Sequence, residues 1–206
     1  MASVTLPAPD LSLPGTLAAA LARRRSIREF AELPLSLAQT GQLLWAAQGV
    51  SDPSGRRTAP SAGALYPLEL CLVAGRVEGL ANGVYRYRPA SHTLDLLLPG
   101  DLRRAVAAAA LGQEWMARAA AILLFTALPF RTTGKYGRRG IRYLHIEAGH
   151  AAQNVLLQAV CLDLAGAVVG AFDDLGLAEA VAIRPPETPL YLVPVGRSAI
   201  SSCRPV

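Results

Sequence analysis

Lysine is almost missing from this chain of 206 residues: Lys135 stands alone, and arginine supplies the rest of the 20 basic side chains. Guanidinium is the preferred cation for gripping phosphate and carboxylate, although a GC-rich genome leaves the same bias. The net charge of +5 leaves nucleic acid open on charge alone. Aromatics are only 6% of residues and are not interleaved with the basic clusters, which argues against base stacking, so no nucleic-acid partner is expected. Charged residues are scarce at 17% and apolar ones reach 52%. A chain so apolar expects burial beyond its own core, and an obligate interface on the order of 2,000 Å² or more would supply it.

Cysteine is scarce as well. Cys71, Cys161 and Cys203 are far apart and odd in number, which fits neither a disulfide framework nor a zinc site. The longest uncharged apolar run, from residue 119 to 130, falls short of the ~20 residues that a spanning helix needs. The N-terminus has no basic stretch followed by an apolar one, so no signal peptide is read. These absences predict a soluble, cytoplasmic protein with no membrane partner. No Gly-x-Gly-x-x-Gly follows a strand and no Gly-x-x-x-x-Gly-Lys exists, which excludes Rossmann and P-loop grips. No Gly-x-Ser-x-Gly offers a nucleophile elbow. His145 and His150 are five apart, about 140° round a helix, where joint ligation wants three or four. His145-Ile146-Glu147 lacks the Cys-x-x-Cys that would complete a zinc deaminase site, so no metal is expected.

The chain that remains reads as one α+β domain over 1–206, with an extended leader at 1–14 and a tail at 198–206. Thr16 caps a helix to about Arg25 with Leu17, Ala20 and Leu21 on one face, and a second helix spans 37–48 and stops at Gly49. Residues 51–63 carry turn residues without a period and read as a functional loop. Strands are predicted at 68–73, 83–87, 93–98, 120–126, 167–172 and 189–196. Residue 120–126 is apolar without interruption, as expected of a strand covered on both faces. Helices are predicted at 101–110, near 114–118, at 141–164 and from Asp173 or Asp174 to about Ile183. The second half of the 141–164 helix is apolar almost all round, which predicts a central position. Residues 132–140 read as a polar, basic loop.

Two clusters carry chemistry. Arg23-Arg24-Arg25-Ser26-Ile27-Arg28 and Arg57-Thr58-Ala59-Pro60-Ser61-Ala62-Gly63 place arginine forks and hydroxyls around a surface too small-sided to block a flat ring. A phosphorylated aromatic cofactor needs that combination. Solvated helix ends are the plainer reading of either cluster alone. Lys135-Tyr136, inside Gly134-Lys135-Tyr136-Gly137, sets an amine beside a phenol, a candidate proton-transfer pair. A solvated basic turn is the alternative.

The order of Arg24-Arg25-Ser26-Ile27-Arg28, Pro60-Ser61-Ala62-Gly63-Ala64-Leu65-Tyr66-Pro67, Gly83-Val84-Tyr85-Arg86-Tyr87, Tyr143 through Asn154 and Pro194-Val195-Gly196-Arg197 resembles the SagB-type oxidoreductases, a branch of the FMN-dependent nitroreductase family. The resemblance implies a nitroreductase-like fold with a central, mostly antiparallel sheet flanked by helices. It also implies a homodimer with exchanged terminal segments and FMN at the interface. On that resemblance Arg24, Arg25, Ser26 and Arg28 bind the FMN phosphate and ribityl side, with Arg197 a further phosphate ligand. Pro60, Ser61, Ala62 and Gly63 line the ring from the partner subunit, Asn154 is a neighbour, and Val169-Gly170 brings the Gly170 N–H to flavin N5. It further implies that Lys135-Tyr136 takes a proton while peptide azolines are oxidised to azoles. NAD(P)H-driven reduction of nitro compounds or quinones is the alternative activity.

Overall fold

Residues 3–200 are described by a computed structural model; Cys203, the 201–206 part of the tail, Met1 and Ala2 lie outside them. In chain order the elements are β1 (Ser3–Thr5), α1 (Leu17–Arg23), α2 (Leu37–Gln48), β2 (Leu68–Ala74), β3 (Gly83–Arg88), β4 (Thr93–Pro99) and α3 (Arg103–Ala109), followed by β5 (Ala121–Ala127), α4 (Phe130–Tyr136), α5 (Arg139–Cys161), β6 (Ala165–Gly166), α6 (Asp174–Ala180) and β7 (Thr188–Gly196). The strands form one antiparallel sheet in the order β1-β4-β3-β2-β5-β7-β6.

The uninterrupted apolar runs become the centre of that sheet because both of its faces are covered. β2 and β5 pair from Leu68 opposite Ala127 to Ala74 opposite Ala121. Side-chain alternation then sends Leu70, Leu72, Leu123 and Phe125 into one core shared with Leu43, Leu44, Leu144 and Val155 of α2 and α5. Cys71, Val73, Ile122 and Leu124 enter a second core with Val106 of α3 and Leu177 of α6. Full burial of each such Leu or Phe contributes roughly 1.5–3 kcal/mol. The nitroreductase-like architecture expected from sequence is the one observed, a sheet between two helical layers. Among the described residues no helix is long and apolar enough to cross a membrane.

Local chemistry sets the ends. Ser36 Oγ accepts the Gln39 N–H at 3.1 Å while Gln39 Oε1 accepts the Ser36 N–H at 3.0 Å, a capping box that starts α2. Thr16 caps α1, but α1 ends at Arg23 and leaves Leu17 and Leu21 exposed, with only Ala20 buried. β1 arises within the leader by pairing Ser3–Thr5 with Thr93–Asp95.

Two expectations are corrected. Residues 132–140 are not a loop: α4 carries the chain to Tyr136, and Gly137 at φ +54 makes the break before α5. α4 is held by close packing, since a Cβ at Gly140 would stand 2.8 Å from the Thr132 carbonyl carbon and the Thr133 nitrogen. Residues 167–172 are not a strand either. Only Ala165–Gly166 pairs with β7, and beyond it Val169 makes a single bridge to Leu192. In the second half of α5, Val155, Leu156 and Ala159 are buried while Leu157, Val160 and Cys161 are half-buried.

Candidate active site

The loop after α2 is shaped by its own hydrogen bonds. Val50 bridges Arg57, and Thr58 Oγ1 donates to the Trp45 carbonyl at 2.9 Å. The chain then makes a tight turn over Ala62–Ala64 in which Gly63, Ala64 and Tyr66 all have positive φ, at +63°, +53° and +45°. For residues with a Cβ, such a conformation costs of order 1–3 kcal/mol each and persists only where neighbours over-determine it. Here Ser61 Oγ accepts the Tyr66 N–H at 2.9 Å, Arg131 donates to the Tyr66 carbonyl at 3.0 Å, and the Arg57 N–H donates to the Tyr66 hydroxyl at 3.3 Å.

This held turn faces α4. A Cβ on Gly63 would lie 2.7 Å from Tyr136 Oη and 3.0 Å from Lys135 Nζ, so glycine is what lets the phenol and the amine meet the loop. The Tyr136 ring stands edge-on to Tyr143 of α5 at 5.1 Å, and Lys135 Nζ is 5.3 Å from the Tyr136 ring centre. The fold thus joins Ser61, Ala62 and Gly63 to Lys135 and Tyr136. Pro60 is exposed beside them, and Asn154 is tied to the same loop by donating to the Thr58 carbonyl at 3.3 Å.

Glu147 belongs to this neighbourhood and was missed. His145 and His150 are exposed, but Glu147 is 2% exposed, and its Oε1 has no hydrogen-bond partner. It lies one helical turn after Tyr143, hence on the same face of α5. Burial pushes its carboxyl up to about 7, while the Ser61 hydroxyl and the Arg57 guanidinium favour the ionised form. The available signal was an acid on the side of α5 that also carries Leu144, Ala148 and Ala151. Arg57 is half-buried, bonds Gln48 Oε1 at 2.8 Å and lies 4.5 Å over the Tyr66 ring. Arg131 pairs with Glu69 at 2.7 Å. Arg57, Tyr66, Glu69, Tyr87, Arg88 and Arg131 line a cavity of about 360 Å³.

The other predicted residues gather at the β6 edge of the sheet. Ser26 bridges Gly166, the Ile27 N–H donates to the Gly166 carbonyl at 3.1 Å, and the Ala31 N–H donates to the Arg197 carbonyl at 2.9 Å. The 26–31 segment therefore runs between β6 and the end of β7. Arg25 donates to the Ala22 and Arg24 carbonyls, finishing α1, and Arg28 lies 5.6 Å from the Trp115 ring centre. Among the described residues Arg24, Arg28 and Arg197 have no carboxylate partner. Val169 exchanges both backbone bonds with Leu192 at 2.9 Å, while the N–H of the exposed Gly170 has no partner among the described residues. Unpaired guanidiniums and a free backbone donor on one edge form a donor set that fits a phosphorylated cofactor with ring acceptors. Hydrogen bonds and ion pairs among the described residues do not join this edge to the Ser61 loop.

Comparison with known proteins follows the same lines. Residues 21–197 match the family model described as Nitroreductase family. Over 177 residues the chain is 45% identical to a Methanocaldococcus jannaschii protein whose name places it among nitroreductases, an alignment covering 86% of this chain and 88% of the relative. It is 30% identical over 153 residues to the microcin B17-processing protein McbC of Escherichia coli, covering 71% of this chain and 56% of McbC. A Ralstonia eutropha crystal structure, also named as a nitroreductase, superposes with a TM-score of 0.85 at 32% identity, covering 96% of this chain and 90% of that one.

Proposed function

The chain belongs to the nitroreductase family of FMN-dependent oxidoreductases, and within that family we propose that it is a SagB-type dehydrogenase that oxidises azoline rings in modified peptides to azoles. The observation that carries this reading is the meeting of Tyr136 Oη and Lys135 Nζ at the Gly63 turn. Oxidising an azoline removes a hydride and a proton. FMN, when bound, supplies the hydride acceptor; the proton needs a base from the protein. Tyr136 takes that proton from the ring carbon as the general base, with the Lys135 amine standing beside it at the same turn. The proposed grip on FMN is divided: Arg24, Arg25, Ser26, Arg28 and Arg197 hold phosphate and ribityl, and Val169-Gly170 offers a backbone N–H. Pro60, Ser61, Ala62, Gly63 and Asn154 of a second copy cover the ring. Such a homodimer, with terminal segments exchanged, joins the two groups that one chain leaves separate.

NAD(P)H-dependent reduction of nitro compounds or quinones is a second reading, favoured by the 45% identity to a relative named as a nitroreductase. The two separate in one experiment. The FMN-loaded protein, mixed anaerobically with NADPH and in parallel with a thiazoline-containing peptide, is expected to lose its yellow colour with the peptide. Bleaching by NADPH alone would decide for the reductase.

A further inference from the structure

The cavity of about 360 Å³ beside the end of the Ser61–Tyr66 turn is lined by one cation more than its neighbours neutralise. The guanidiniums of Arg57, Arg88 and Arg131 stand there against the single carboxylate of Glu69. Glu69 is spent on Arg131 at 2.7 Å and Arg86 at 3.5 Å, and Arg88 pairs with Asp95 at 2.7 Å. Arg57 is half-buried and makes no ion pair among the described residues. Glu69 and Glu147 act on it only from farther off. Its guanidinium gives one hydrogen bond there, to Gln48 Oε1 at 2.8 Å, and lies over the Tyr66 ring. A guanidinium has five N–H donors, so most of this one's are unspent. Gln48 adds to them: it is 1% exposed, its oxygen is taken by Arg57, and its Nε2 has no partner. Unsatisfied donors on two neighbouring side chains, one of them cationic, call for paired acceptor oxygens. The rest of the wall is apolar, with Leu65, Leu68, Leu70 and a Tyr87 whose hydroxyl is occupied by His92 Nδ1 at 2.8 Å.

We propose that this cavity is a binding site for a carboxylate carried on a short apolar body, with Arg57 as the fork for the carboxylate and Leu65, Leu68 and Leu70 around the body. Its volume suits a small ligand, at the low end of the range of about 300–1,000 Å³ for such sites. Leu65 and Tyr66 continue the turn that contains Gly63, and Arg131 stands one helical turn before Lys135 on α4. An acid seated here therefore lies beside the turn that Lys135 and Tyr136 meet, and the site selects by charge whichever reaction the flavin supports. A free organic acid and the acidic side chain of a peptide present the same group.

Hexanoate is the probe, with hexanamide as its neutral counterpart, titrated by calorimetry into the full-length protein with and without FMN. Hexanoate should bind at least about tenfold more tightly than hexanamide, the worth of a charge-assisted contact. Arg57→Gln should cost hexanoate that factor and leave hexanamide unchanged, whereas a merely distorted loop would weaken both. Arg88→Gln removes a charge that stands half in solvent. It should weaken hexanoate about two- to fivefold, and it carries the test if Arg57→Gln does not fold. Acetyl-glutamate methylamide, whose only acid is its side chain, separates the sources: binding tighter than hexanoate supports a peptide side chain, and weaker binding supports a free acid. Equal affinities for hexanoate and hexanamide, no binding of hexanoate at millimolar concentration, or a preference for the acid that survives Arg57→Gln would each overturn the proposal. Arg57-dependent binding of inorganic phosphate tighter than that of hexanoate would overturn it too. A protein that binds hexanoate as expected but takes up no FMN would overturn the flavin reading and leave this site standing.

Discussion

Arg28 and Arg104 carry the same exposed guanidinium in different company. Arg28 projects at the β6 edge beside Trp115, within a run that also presents Arg24 and lies next to Arg197. Arg104 sits on α3 at a separate cleft, where Glu32, Asp101 and Glu114 alternate with Arg76, Arg103 and Arg118. A phosphate at the β6 edge meets unpaired cations; one at α3 meets a field already mixed in sign. Arg28→Ala should therefore cost roughly 1.5–3 kcal/mol of FMN affinity, more than tenfold in dissociation constant, with Arg104→Ala close to wild type. Equal dissociation constants for the two variants, measured by fluorescence titration, would reduce the arginine run to a solvated helix end. The run was legible in sequence because guanidinium density needs no fold to be noticed. Glu147 was not, because an acid becomes unusual only when its helix face is known to turn inward.

At the scale of elements, whatever rests on long apolar periodicity was legible. β2 and β5 declared themselves because burial on both faces leaves no polar alternation, and α2 carried its capping box in plain letters. Elements created by pairing or contact were not. β1 is three residues defined only by β4, and the stretch around Val169 holds apolar side chains but meets β7 at isolated points. In sequence α4 reads as part of a polar, basic loop, and Thr132, Thr133 and Gly134 are themselves poor helix formers. It is helical because Thr132 is buried against Gly140, and that contact also fixes where Lys135 and Tyr136 stand. Gly140→Ala should force α4 off α5, since the obstructing atoms are backbone. The expected loss is about 1–3 kcal/mol of unfolding free energy in a denaturant titration. Unchanged stability would mean that α4 does not depend on this contact.

For the whole molecule, the two candidate groups stand on different elements, and the proposed second copy would bring them together. Arg24, Arg28, Arg197 and Gly170 gather at the β6 edge, while Ser61, Gly63, Lys135, Tyr136 and Glu147 gather where the loop after α2 crosses α4 and α5. On the proposed reading the first group would bind the flavin phosphate and the second would move the substrate proton, so neither alone would make a redox site. The central claim is that Tyr136, supported by Lys135, removes the substrate proton while the flavin is reduced. Stopped-flow bleaching of the FMN-loaded protein by a thiazoline peptide tests it most directly, wild type against Tyr136→Phe. General acid–base groups are worth about 10²–10⁴-fold, so the variant should be reduced slower by that factor while oxygen reoxidises both at the same rate. Peptide-driven bleaching of Tyr136→Phe at the wild-type rate would contradict the account.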